Sequence, residues 1–210
     1  MLTYETILAE LTAILKTEEP GERITRTFGL KSLVEAAVRE NAGSTKCRSR
    51  YQAAKKYIAE TVKKYPERTQ IHGAWIEDGK QMLSNAYSVI RLSDYIPGLV
   101  SASGMEMRRY FDGMIHRDDR SKTYAITELV SLGKVAAAEA RATKALYPPS
   151  RILISGPGQA GYDVYTLALM AQILGGKEVT FNPSDAARGF GYMSGDYGDA
   201  VICAYGGGGA

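Results

Sequence analysis

Cysteine and histidine are nearly missing from this sequence, with two of each in 210 residues. Cys47 and Cys203 stand far apart, which excludes a disulfide framework and a zinc-type spacing. Two reduced thiols fit a cytoplasmic protein. His72 and His116 have no cluster of cysteines or carboxylates at ligand spacing around them, so no metal site is expected. No apolar run approaches the eighteen residues of a membrane span. The opening stretch MLTYETILAELTAILK carries acidic residues and no long apolar block, unlike a signal or transit peptide. The formal charge of +3 is too small to imply a nucleic-acid partner by itself. The closing Gly-Gly-Gly-Gly-Ala has no core-forming side chain and is expected to stay outside the fold as a flexible tail or linker end.

Hydrophobic residues make up 45% and charged residues 23%, the balance of a globular chain. Its length allows one large domain or two small ones. Ile7, Leu8, Leu11, Ile14 and Leu15 recur at helical spacing, which predicts a helix over 4–16 broken by Pro20-Gly21. A second helix is expected from Leu30 to about Asn41. A third runs from about Arg50 to Tyr65 and stops at Pro66. Its inner side is read as Tyr51, Ala54, Ile58, Val62 and Tyr65, leaving Lys56, Lys63 and Lys64 outside. The period then changes. Asp78-Gly79 between β-rich flanks predicts a hairpin, with strands at 70–77 and 81–92 and His72 inside the first. Residues 105–120 carry no clear period. A long helix is expected over 123–146, ended by Pro148-Pro149. A strand (151–155), a helix (163–174) and a strand (177–182) follow. A last hairpin turns at Gly195-Asp196-Tyr197-Gly198 and closes with a strand at 200–204. No repeat shows at periods of 20–50 residues.

Two motifs raise the question of catalysis. His116-Arg117-Asp118-Asp119 has the letters of a kinase catalytic loop, but the kinase glycine loop, paired lysine and metal-binding triplet are missing. Gly156-Pro157-Gly158-Gln159-Ala160-Gly161 is a literal G-x-G-x-x-G after an apolar strand, with Asp185 a little beyond the usual place of a ribose-binding acid. A dinucleotide site there needs a further crossover helix. The segment after Asp185 is glycine-rich, lacks a 3.6 period and reads as an antiparallel hairpin. Asp163 is read as the N-cap of the following helix, whose buried face is Val164, Leu167, Ala168, Ala171 and Leu174. No cofactor is expected, and catalysis is expected to be absent.

IHGAWIEDGKQMLSNAYSVIRLSDYIPGL resembles the middle of a bacterial DNA polymerase sliding-clamp domain. ILISGPGQAGYDVYTLALMAQILGGKEVTF together with GFGYMSGDYGDAVICAY resembles its second half: a strand, a helix with a Gly-Gly stop and three antiparallel strands. The likeness covers about half the chain. It departs at Ser84-Asn85-Ala86-Tyr87-Ser88, where clamps carry a Thr-Asp-Gly-x-Arg stretch. A clamp chain has three such domains, and this one has room for one. The family's partner pocket lies between domains, so no pocket residue carries over.

The resemblance implies an α+β fold: a clamp-like domain over 67–210 with a helical insertion at about 105–148, and an N-terminal helical part over 1–66 packed on it. It implies a non-catalytic, DNA-associated role linked to replication, with bare sheet edges that favour a homo-oligomer. The expected duplex-DNA surface is KCRSRYQAAKKYIAETVKKYPER, with Lys46, Arg48, Arg50, Lys55, Lys56, Lys63, Lys64 and Arg68 opposed only by Glu60 and Glu67. The competing readings are a protein-interaction or inhibitor module that kept the scaffold, and a nucleotide-binding enzyme using Gly156 to Gly161.

Overall fold

The computed structural model describes residues 4–24, 26–27, 30, 45–107, 111, 121–144, 152–154, 161–183 and 189–204. The chain divides into two compact units, Met1–Arg48 and Ser49–Ala210. In the first, α1 spans Tyr4–Lys16. Pro20 does more than break it, because residues 20–24 are again helical. Glu19 caps that stretch, accepting from the Gly21 and Glu22 amides at 3.3 and 2.6 Å. Pro20 then sits in the first helical position, where its missing N–H costs nothing. Of the helix expected over 30–41, only Leu30 lies among the described residues.

The second unit is an α+β structure. Helix α2 is Thr45–Lys64, so its first turn precedes the division and the rest belongs to this unit. Seven strands form one sheet in the order β1-β2-β3-β9-β8-β7-β4. They are β1 (Ala74–Glu77), β2 (Lys80–Ser84), β3 (Ser88–Leu92), β4 (Lys122–Ala125), β7 (Glu178–Asn182), β8 (Phe190–Gly195) and β9 (Gly198–Cys203). Helix α3 (Ile126–Thr143) follows β4 directly. A separate pair, β5 (Ile152–Ile154) and β6 (Gly161–Asp163), precedes helix α4 (Val164–Leu174). Every strand pair among the described residues is antiparallel.

Several boundaries differ from the sequence expectation, each for a local reason. Asp78 and Gly79 do turn the first hairpin, with φ of 49° and 68°, the two positive values of a type I′ turn. The strand expected to begin at 70 begins at Ala74, because Thr69–Ile71 is a 3-10 turn and His72 caps it instead of joining the sheet. The single strand expected over 81–92 is two. Asn85 Oδ1 accepts from the Tyr87 and Ser88 amides at 3.1 and 2.8 Å and from Ser88 Oγ at 2.8 Å. This side-chain turn reverses the chain, with Ala86 at φ 72°. The helix expected from 123 starts at Ile126, and the residues before it are β4 at the sheet edge, paired with β7. Part of the expected insertion is therefore integral to the sheet.

The main core lies between the sheet and the helices. Leu83, Ile90, Leu92, Val179, Phe181, Met193 and Ile202 from the strands meet Ala54 and Tyr57 of α2 and Leu167, Met170 and Leu174 of α4. Helix α4 is apolar nearly all round because it is covered on nearly every side. Its N-cap is Asp163, which accepts from the Tyr165 amide at 3.1 Å, and Gly175 at φ 69° ends it. Gly133 lets α3 approach α4 closely, since a Cβ there would lie 2.9 Å from the Ala168 Cβ. On the opposite sheet face Ile71, Trp75, Met82, Met107, Phe111 and Val201 form a smaller cluster.

One regularity spans the unit. A helix followed by a three-stranded meander occurs twice: α2 with β1-β2-β3, and α4 with β7-β8-β9. The last strands of the two meanders pair antiparallel, with Ile90 opposite Ala200. An approximate two-fold through that ladder relates the halves. Across it, Arg91 Nε and a terminal guanidinium nitrogen donate to Asp199 Oδ1 and Oδ2 at 2.9 and 2.6 Å, a bidentate pair between directly opposed residues.

Candidate functional site

The outer side of the helical layer carries the charge. Along α2, Ala53, Ala54, Tyr57, Ile58 and Thr61 are buried, and Lys55, Lys56, Lys63 and Lys64 are exposed. Residues seven apart share a helix face, so Lys56 and Lys63 form one ridge. On α3, Lys134 and Arg141 have the same spacing and are also exposed. Among the described residues none of these six cations is in an ion pair.

Lys56, Lys134 and Arg141 flank a groove. Tyr165, Ala168, Leu169 and Gln172, one face of α4, form its floor, and it encloses about 340 Å³. Lys56 stands on one wall and Lys134 and Arg141 on the other. The Lys56 ammonium lies 5.0 Å from the centre of the Tyr165 ring and that of Lys55 lies 5.6 Å from the Tyr51 ring. Aromatic faces thus hold two of the lysines over the surface. Small residues build the groove: Ala53, Gly133, Ala137 and Ala168 leave room that larger side chains would fill.

The structure sorts the residues expected to contact DNA. Lys55, Lys56 and Lys63 are on the outer side of α2, and Lys64 lies round its flank beside Glu60. Arg68 is exposed beyond the helix, its guanidinium 5.4 Å from the Tyr65 ring. Arg48 is exposed and falls in the first unit. The Lys46 side chain lies outside the described residues. Arg50 is no surface contact: it is 6% exposed, bonded to Asp94 at 2.7 Å and to the Ile173 carbonyl at 3.0 Å. Val62, expected inside, is 41% exposed, and Thr61 takes the buried position with its hydroxyl donating to the Tyr57 carbonyl. Lys134 and Arg141 were missed. Their spacing was readable, but the sequence does not say that α3 lies beside α4 with that face outward.

Other candidates fare differently. Ile154 pairs with Gly161, so the glycine motif links two antiparallel strands, and α4 begins only after β6. The expected strand-to-helix turn is a strand-to-strand connection. Residues 156–160, His116 and Asp185 lie outside the described residues. The last three strands form an antiparallel meander, as the sequence predicts. His72 Nε2 is 2.8 Å from the Tyr65 carbonyl. No group of three potential metal ligands occurs among the described residues, and no described helix is long and apolar enough to cross a membrane. Burial pushes the Cys203 thiol above its ordinary value, which favours its protonated form. Burial also raises Tyr57, although its hydroxyl bonds to Ser88 Oγ at 2.7 Å.

No family model, curated protein or solved structure matches this chain.

Proposed function

We propose that this chain is a non-catalytic, DNA-associated binding protein on a sliding-clamp-like scaffold, and that duplex DNA lies against the outer side of its helical layer. The observation that carries this reading is a set of exposed cations, Lys56, Lys134 and Arg141 around one groove with Lys63 two turns further along α2, in no ion pair among the described residues. The twin helix-and-meander architecture supports the scaffold, since a clamp-like domain is built from two such halves and turns its helices toward DNA. The contacts go to phosphates, so binding is independent of base sequence. Five cations, including Lys55, neutralise about five phosphates, and log affinity then falls with log salt at a slope near −4.5.

Fluorescence anisotropy on labelled duplex DNA across a salt series tests this. Lys56, Lys63, Lys134 and Arg141 changed together to Glu should abolish binding with the fold intact. No binding by the unmodified protein at low salt, or equal binding by the reversed one, rejects the reading. The interaction-module alternative then gains from Leu132 and Val135, apolar and exposed on the same helix α3. β4 ends the sheet among the described residues, and pairing of two such edges favours a two-fold homodimer. Sedimentation showing only monomer at tens of micromolar would reject that part.

A further inference from the structure

The two halves of the second unit share one device, filled in one half and open in the other. The Ser93 amide donates to the Tyr197 carbonyl at 3.0 Å, and the Cys203 amide donates to the Tyr87 carbonyl at 2.7 Å. At the helix ends, the Gly175 amide bonds the Ala171 carbonyl at 3.0 Å and the Tyr65 amide bonds that of Thr61 at 2.9 Å. The separation along the chain is the same for each matched pair. It makes Tyr87 the counterpart of Tyr197 and Ala204 that of Asp94.

In the filled half, the Arg50 guanidinium lies 3.9 Å from the centre of the Tyr197 ring. It donates to Asp94 Oδ2 at 2.7 Å, to the Asp94 carbonyl at 3.0 Å and, through Nε, to the Ile173 carbonyl at 3.0 Å. In the other half alanine stands at the aspartate position. A cavity of about 240 Å³ opens there, lined by Tyr87, Ala204, Cys203, Glu60, Asp163 and Lys64.

We propose that this cavity binds a guanidinium group. The features that hold Arg50 recur in it: a tyrosine face on which a planar cation stacks, the negative end of a helix, and carboxylate charge. Glu60 takes the bonding role of Asp94. Asp163 is buried and already accepts from the Tyr165 amide and the Thr166 hydroxyl, so it contributes charge. Lys64, at the rim, is a compact hydrated cation without the plane that stacks, and it weakens binding by repulsion. The group comes from a small guanidine compound or from an arginine side chain of a partner chain. The site is independent of the DNA reading.

Amide shifts at Asn85, Tyr87 and Cys203 report occupancy in a nuclear magnetic resonance titration. The probes are methylguanidinium, an end-capped Gly-Arg-Gly peptide, and methylammonium as the control. Saturation with methylguanidinium or the peptide is expected in the millimolar range, as suits so small a group, with methylammonium at least tenfold weaker. Saturation by the peptide at lower concentration assigns the group to a partner chain, and saturation by methylguanidinium alone assigns it to a small molecule. Tyr87→Ala should remove saturation. Ala204→Asp, which restores the counterpart of Asp94, should tighten binding about tenfold. Lys64→Gln should also tighten it and serves if the aspartate variant does not fold. The proposal fails if neither guanidinium probe saturates, if methylammonium binds equally, or if a folded variant of Ala204 or Lys64 leaves affinity unchanged.

Discussion

Single side chains decide where this chain tolerates change. Gly198 has φ 151°, and a Cβ there would lie 2.1 Å from the Arg91 carbonyl oxygen. Gly79 has φ 68° with nothing within 4 Å of the same atom. Gly198→Ala should therefore cost about 3 kcal/mol or more, and Gly79→Ala about 1 kcal/mol. Urea denaturation of both variants checks the contrast, and similar losses would refute it. Arg50→Ala leaves a buried carbonyl and Asp94 without their donor and should cost about 3 kcal/mol, whereas Lys56→Glu should leave the denaturation midpoint nearly unmoved. Tyr57 sets an alkaline limit. Its folded value is raised, so its contribution is intact below the ordinary tyrosine value of 10.0 and is lost as pH rises toward the folded value. Stability should fall above about pH 10. Tyr57→Phe should flatten that fall while lowering stability at neutral pH by about 1 kcal/mol. An unchanged alkaline profile in the phenylalanine variant would contradict the assignment. Gly79 and Gly198 were readable beforehand from their hairpin turns, and Lys56 from the outer side of its helix. Arg50 looked like its basic neighbours, because burial of one cation among several depends on a distant aspartate and tyrosine.

Elements were legible wherever periodicity and turn chemistry agreed. Helix α4, its aspartate cap and its glycine stop follow from the sequence, as do the Asp78-Gly79 hairpin and the final meander. Boundaries failed where a side chain overrode the pattern. Asn85 cut an alternating run into two strands, and Pro20 opened a helix as well as ending one. The glycine motif failed as a pattern because letters alone do not separate a strand-to-helix turn from a link between paired strands. Calorimetry with NAD, NADP and FAD at millimolar concentration should give no saturable heat. Saturation that Gly158→Val removes would overturn this expectation. For the helical layer, reversing Lys134 and Arg141 alone should weaken DNA binding and make the salt slope shallower by about two. An unchanged slope would confine the interface to α2.

The whole molecule contains an order that its letters do not show. The halves share almost no letters at matched positions. What they share is burial: Leu83 with Met193, Leu92 with Ile202, Thr61 with Ala171. Burial at a matched site is set by the fold, while side-chain identity is free, and a repeat of this kind leaves no repeated letters. The α+β class was readable because strands and helices each declared their period. The sheet order was not, since pairing of β3 with β9 and of β4 with β7 is a long-range choice. The division at Arg48 and Ser49 leads to a prediction at this scale. A chain beginning at Thr45 should unfold in one cooperative transition, with a melting temperature within a few degrees of the full chain. A broad, non-cooperative melt of that fragment would show that the larger unit depends on the smaller.

The ladder between β3 and β9 also governs how the second unit comes together in time. Each meander closes through short turns, and its pairings are local in sequence. Joining the meanders brings residues 88–92 to residues 198–202 and requires a long loop to close first. Such a closure is slow compared with hairpin formation. The two hairpin systems therefore form early, and the Ile90–Ala200 ladder is the step that completes the barrier. Stopped-flow refolding checks this order: Ile90→Val and Met82→Leu should both slow refolding and leave the unfolding rate nearly unchanged, and a Met82→Leu effect confined to unfolding would contradict it.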